Sequence, residues 1–142
     1  MVKKNYKDIE LSPKYKPKKT EEYMCPEQLA YFYQLLTTQK EEILRQSEST
    51  LNSVSSKTKE SSSITGDDSD IASAEQETSF TLRMAERDKN LLLKIDQALE
   101  RIENGTFGYS VISGDEIGIN RMLARPLATM TIEEQEEHEK RQ

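Results

Sequence analysis

Gly66-Asp67-Asp68-Ser69-Asp70-Ile71-Ala72 reads as a tight turn followed by the start of a helix, and it divides the chain into two arms that have to pair. Gly66-Asp67 is a turn signal, and Asp67, Asp68 or Ser69 can accept hydrogen bonds from the amides that a helix start leaves unpartnered. Downstream, Leu92, Ile95, Leu99 and Ile102 recur at spacings of three and four, with Leu91, Ala98, Met84 and Ala85 at the edges of the stripe. Asn104-Gly105 closes this helix, because Gly accepts the left-handed conformation of a helix end. Upstream, Cys25-Pro26-Glu27 opens the other arm: Pro loses nothing at a first-turn position, and Glu27 favours the positive helix N-terminus. Leu29, Phe32, Leu36 and Ile43 form its apolar face, and Leu44, Leu51 and Val54 continue the stripe after a shift.

Eleven of the twenty residues 46–65 are Ser or Thr, a linker-like composition. The helical period survives through Leu51 and Val54, so the expectation is a poorly packed helix that frays toward Ser61-Ser62-Ser63. Two helices of similar length, each with one apolar stripe and joined by one short acidic turn, bury those stripes by folding back on each other. The predicted fold is mainly α: an antiparallel coiled coil over 26–104 with its tip near 64–72, preceded by a basic lead-in over 1–25 and followed by a small module over 105–142. Arms of about 35 residues would give a rod of roughly 50 Å.

Composition narrows the function classes. The chain has 142 residues, 34% hydrophobic against 32% charged, with no Trp, so helices burying one stripe each fit better than a thick globular core. A single Cys25 excludes an internal disulfide, and no apolar run reaches the roughly 20 residues that cross a bilayer. A reduced, soluble, cytoplasmic monomer is expected. The net charge is -6, yet the first nineteen residues carry seven Lys against Asp8 and Glu10, which is +5 and leaves -11 for the rest. An acidic body argues against direct DNA binding, which depends on clustered cations. The Lys-rich arm reads as a solvated tail. No Ser/His/Asp set, phosphate-cradling Gly loop or paired-carboxylate cleft is present, and His138 in a run of Glu reads as a surface residue, so an enzyme is not expected.

In the module, Phe107, Tyr109, Val111, Ile112, Ile117 and Ile119 alternate with Gly108, Gly114 and Gly118, which predicts tight turns and a short hairpin. Arg125-Pro126 breaks what precedes it. Thr131-Ile132-Glu133-Glu134 then supplies a capping box for a last helix.

These residues, taken in order, resemble the DksA/TraR family of RNA polymerase secondary-channel regulators, which act in the bacterial stringent response. The resemblance rests on Asp67, Asp70 and Ala72 as a D-x-x-D-x-A tip pattern, on Gly105-Thr106-Phe107-Gly108-Tyr109, Glu116-Ile117-Gly118-Ile119 and Arg121, on Ala124-Arg125-Pro126, and on Tyr15, Pro17 and Glu21-Glu22-Tyr23-Met24 upstream. It covers about residues 15–142. Family members typically hold a zinc ion with a Cys-x-x-Cys pair after Phe-Gly-Tyr and another after Ala-Arg-Pro. Here those positions are Ser110, Ser113, Thr131 and Glu134. Hydroxyls are poor zinc ligands, so a zinc-less, degenerate finger is expected, with the Thr131/Glu134 capping box in the metal's place as the device that fixes the last helix.

The resemblance implies a regulator that binds RNA polymerase and passes its coiled coil through the secondary channel to alter open-complex stability. Asp67, Asp70 and Ala72 would act at the active centre by charge and close approach. It also implies a contact set of Arg87, Leu91, Lys94 and Arg125 for the alarmone ppGpp and the polymerase rim. Gln135 stands where zinc-bearing members have Lys, offering a hydrogen bond without charge, which leaves ppGpp an optional ligand. A coiled-coil adaptor for another protein, or a transcript-cleavage factor of the same channel, remains an alternative at this stage.

Overall fold

The computed structural model describes residues 6, 9–63 and 68–141. Four helices account for most of them: α1 (Pro26–Ser63), α2 (Asp68–Asn104), α3 (Ile119–Ala124) and α4 (Ile132–Lys140). No strand occurs among the described residues. The expected hairpin reduces to an isolated antiparallel bridge between Tyr109 and Glu116, because the intervening residues turn back at once and leave no length for a ladder. The mainly α architecture, an antiparallel helical pair with a small terminal module, is the one the apolar patterning predicts. Two compact units divide it: Met1–Thr38 with Ile95–Gln142, and Gln39–Lys94.

The first unit holds the core. Phe32 and Leu36 of α1, Ile95, Ala98 and Ile102 of α2, and Phe107, Ile117, Ile119 and Met122 of the module are all buried. Phe32 and Phe107 bring their ring centroids to 5.3 Å, which ties α1 to the module directly. One polar side chain lies fully inside. Gln28 is 0% exposed, and its amide is satisfied at both ends: Oε1 accepts from the Met24 amide at 2.8 Å, and Nε2 donates to the Lys18 carbonyl at 3.2 Å. A buried amide without such partners would cost about 1–3 kcal/mol, so the lead-in backbone at Lys18 and Met24 is held against α1 by this pairing.

The second unit is built differently. Among its residues with described side chains none is fully buried. The half-buried stripe of α2 runs through Ala74, Thr78, Thr81, Met84, Ala85, Asp88, Leu91 and Leu92, so short and polar side chains dominate its distal part. In the Ser/Thr-rich stretch α1 is continuous to Ser63, and the helical reading holds over the linker reading. Thr50, Thr78 and Thr81 each return a hydroxyl proton to the carbonyl four residues earlier, at 2.7, 2.9 and 2.8 Å, which satisfies the side chain without breaking the helix.

Two details of the stripe differ from expectation. Leu44 is 47% exposed, and Ile43 alone takes the inward position there, since adjacent residues on a helix cannot both face one partner. Ala98 is buried whereas Leu99 is only half-buried, so the inward series runs 95, 98, 102. The side chains of Leu51 and Val54 lie outside the described residues.

Candidate functional site

The expected tip falls where α2 begins. Asp67 lies outside the described residues, as does the rest of 64–67, and with it the expected cap position. Asp70 is in the first turn of α2, where amides lack intrahelical partners and the helix dipole is positive. Ala72, two residues on, is exposed and presents no bulk beyond its methyl group. Farther along α2, Arg87, Leu91 and Lys94 are spaced by four and three and share one face of the helix. Arg87 and Lys94 are exposed and Leu91 is half-buried.

Arg125 and Gln135 belong to the other unit. Arg125 follows α3 with φ -136° and ψ 85°, the extended backbone demanded by Pro126, and its side chain is exposed. Gln135 is half-buried on α4, where its Nε2 donates to Glu139 Oε1 at 3.1 Å. Neither Lys94 nor Arg125 has an ion pair among the described residues.

The four positions that the resemblance marks as lost zinc-ligand positions, Ser110, Ser113, Thr131 and Glu134, come together around the Glu134 carboxylate. Ser110 Oγ donates to Glu134 Oε2 at 2.9 Å and Ser113 Oγ to Glu134 Oε1 at 3.4 Å. The Thr131 amide donates to the same Oε1 at 3.1 Å, and the Glu134 amide returns to Thr131 Oγ1 at 3.2 Å, completing the capping box at the start of α4. Ser110 Oγ also accepts from the amides of Ile112 and Ser113 at 3.1 and 3.2 Å, and Ser113 Oγ from that of Asp115 at 3.3 Å, so the knuckle 110–115 is folded around the two hydroxyls. Desolvation works to raise the Glu134 carboxyl. The hydrogen bonds from Ser110, Thr131 and Ser113 outweigh it and hold the group below its ordinary value.

This donor set does not fit zinc. Three of its members are hydroxyls, and its one carboxylate already accepts three hydrogen bonds. Among the described residues no group of three or more His, Cys, Asp or Glu side chains converges on a point.

A second fastening of the module was not anticipated from the sequence. The Tyr23 hydroxyl donates to the Gly108 carbonyl and accepts from the Gly118 amide at 3.1 Å, and its ring meets Tyr109 edge-on at 5.5 Å. Gly108 sits at φ 88°, and a Cβ there would come within 2.5 Å of Met24 Cε and 2.9 Å of the Tyr23 hydroxyl. Only glycine fits this close approach. The positional resemblance of Glu21-Glu22-Tyr23-Met24 to family members was the one signal available, and it did not disclose the contact.

Comparison with known proteins follows the same lines. The profile of the family described as "DnaK suppressor protein DksA, N-terminal domain" matches residues 28–102. A Caulobacter vibrioides protein named RNA polymerase-binding transcription factor DksA is 42% identical over 128 residues, covering 90% of this chain and 87% of that one. The Escherichia coli K12 protein of the same name is 34% identical over 119 residues, covering 84% and 76%. The solved structure of transcription factor DksA2 from Pseudomonas aeruginosa superposes with a TM-score of 0.74 at 38% identity, covering 84% of this chain and 88% of that one.

Proposed function

We propose, because the chain belongs to the DksA family, that it is a transcription regulator that binds RNA polymerase and enters the secondary channel with its coiled coil. The observation that carries this reading is the 42% identity to a named RNA polymerase-binding factor across 90% of the chain. The tip residues support it. Asp70 in the first turn of α2 and Asp67 just before it would bring fixed negative charge to the polymerase active centre, and the small Ala72 would permit close approach. Their action would be electrostatic rather than catalytic, so the protein regulates an enzyme without being one. A tenfold change in a promoter-complex equilibrium takes ~1.4 kcal/mol, within reach of one or two partly desolvated charges. Binding to polymerase would place the protein in the cytoplasm; no described helix is long and apolar enough to cross a membrane.

The family's alarmone, ppGpp, is an optional partner in this reading. Lys94 in one unit and Arg125 in the other are exposed cations, each of a kind that pairs with phosphate, whereas the Gln135 amide is neutral and engaged with Glu139. The geometry that zinc would set in family members is set here by the Glu134 network, and no zinc takes part in the proposed action.

The test is open-complex lifetime on a ribosomal-type promoter, with and without ppGpp, for the wild type and Asp70→Asn. Asn keeps the size and much of the capping ability of Asp at a helix start. The expected result is that the wild type shortens the lifetime while Asp70→Asn binds polymerase equally well and leaves the lifetime unchanged. Activity lost only in proportion to binding would make the tip mere structure. Hydrolysis of backtracked RNA by the wild type would instead favour a transcript-cleavage factor.

A further inference from the structure

Arg101 stands in the last turn of α2, half-buried, with its backbone carbonyl fixed by the amides of Thr106 at 2.9 Å and Phe107 at 3.2 Å. Its guanidinium has no ion pair among the described residues. A cation at a helix C-terminus interacts favourably with the dipole, which explains its sign. It does not explain the cavity beside it, about 540 Å³, lined by Arg101, Gly105, Thr106, Tyr109, Ser110, Val111 and Gly114. Gly105 and Gly114 leave their sides open: a Cβ at either would meet nothing within 4 Å. The hydroxyls of Thr106 and Tyr109 have no hydrogen-bond partner among the described residues, while the Ser110 hydroxyl is fully engaged with Glu134 and the knuckle amides. Val111 is 60% exposed and its neighbour Ile112 67%.

The site therefore combines a free guanidinium, two free hydroxyls and an exposed aliphatic rim on a chain whose net charge is -6. A guanidinium beside a largely apolar concave surface with hydroxyls on its lining residues suits an oxyanion that carries apolar neighbours, and the planar fork of Arg matches a carboxylate in two parallel hydrogen bonds. The aliphatic rim adds the partly desolvated setting in which such a pair contributes to an interface. An unpaired cation on an acidic protein also selects an acidic partner over a basic one.

We propose that this cavity receives an acidic side chain with an apolar neighbour from the surface of RNA polymerase, and so is a docking point of the module. This rests on the reading that the chain binds polymerase, and it goes beyond it in naming the surface and the chemistry of its counterpart. The experiment is equilibrium binding of the full chain to purified bacterial polymerase at two salt concentrations, with wild type, Arg101→Lys, Arg101→Gln and Arg101→Glu. Circular dichroism and urea unfolding of each variant show that it is folded. The neutral Gln variant reports on the cavity if the Glu variant, unfavourable at a helix C-terminus, fails to fold.

The expected result is about tenfold weaker binding for Arg101→Gln, a larger loss for Arg101→Glu, partial retention by Arg101→Lys, and a shallower salt dependence once the charge is gone. Folded Arg101→Gln that binds like wild type overturns the proposal and leaves the polymerase reading standing. A wild type that does not bind polymerase overturns both. Thermal stabilisation of the free protein by citrate or inorganic phosphate, abolished in Arg101→Gln together with unchanged polymerase binding, would assign the cavity to a free anion instead.

Discussion

Replacing Tyr23 by Phe removes one oxygen atom and two hydrogen bonds, and the structure says which of them matters. The Gly108 carbonyl accepts from Tyr23 but also from the Ile117 amide at 2.9 Å, so it stays satisfied in the variant. The Gly118 amide has the Tyr23 hydroxyl as its partner at 3.1 Å and would be left with none. Phe retains the edge-on ring contact with Tyr109 and the packing against Gly108. The cost is therefore one lost hydrogen bond plus partial desolvation of one amide, about 1–2 kcal/mol, and not the 3–5 kcal/mol that truncating an aromatic would bring. Because the chain divides into two units, a global unfolding curve would dilute the effect; amide hydrogen exchange reads it locally. Exchange at Gly118 and Ile117 should accelerate by about five- to thirtyfold in Tyr23→Phe, with amides of residues 80–94 unchanged. Unaltered protection at Gly118 would refute the claim that Tyr23 fastens the module to the lead-in.

The purified protein is expected to contain no stoichiometric zinc by elemental analysis and to keep its helical content in strong chelator; one zinc per chain would overturn the assignment of the cluster to hydrogen bonds. Thr131→Ala removes the N-cap acceptor of α4 and should destabilise that helix by about 1 kcal/mol, read as faster exchange of the Glu134 amide. The Glu134 carboxyl is lowered in the folded chain from an ordinary value of 4.5, so its contribution is complete above that value and is lost as pH falls through the lower, folded one. An NMR titration should show its midpoint below the ordinary value of 4.5, with the Thr131 amide resonance following the same curve; a midpoint at or above that value contradicts the network.

What the sequence disclosed and what it hid divide by range. The stripe through Ile95 and Ile102 and the Thr131/Glu134 box are local signals, and local periodicity or capping chemistry suffices to read them, while the Gly66-Asp67 turn lies outside the described residues. Leu44 misled because two adjacent apolar residues, Ile43 and Leu44, compete for one inward position, and sequence spacing does not say which wins. Gln28 was missed because its burial depends on the Lys18 carbonyl ten residues away, a partner that no composition rule supplies. The roles proposed for Asp67, Asp70, Arg87, Lys94 and Arg125 rest on family resemblance alone, since charged side chains on helices carry no periodic signature of a role.

The carboxylate network also changes what must hold the module. A structural zinc in a small finger supplies about 10–16 kcal/mol of binding free energy, all of it available to folding. Hydrogen bonds to a solvent-accessible Glu134 cannot match that, because water competes for the same donors and acceptors. The network can therefore fix geometry, setting the start of α4 against the knuckle 110–115, but stability has to come from burial. The residues that provide it come from outside the module as well as inside: Met24 and Phe32 upstream, Ile102 in α2, and Phe107, Ile117, Ile119 and Met122 within. A fully buried aromatic or aliphatic side chain contributes about 1.5–3 kcal/mol, so a handful of these reaches the scale of a metal. It follows that the lead-in is structural, with Met24 beneath Gly108 and Tyr23 bridging Gly108 and Gly118. A module that does without zinc, as proposed, would draw its stability from such neighbours, with Tyr23 and Met24 of the lead-in among them.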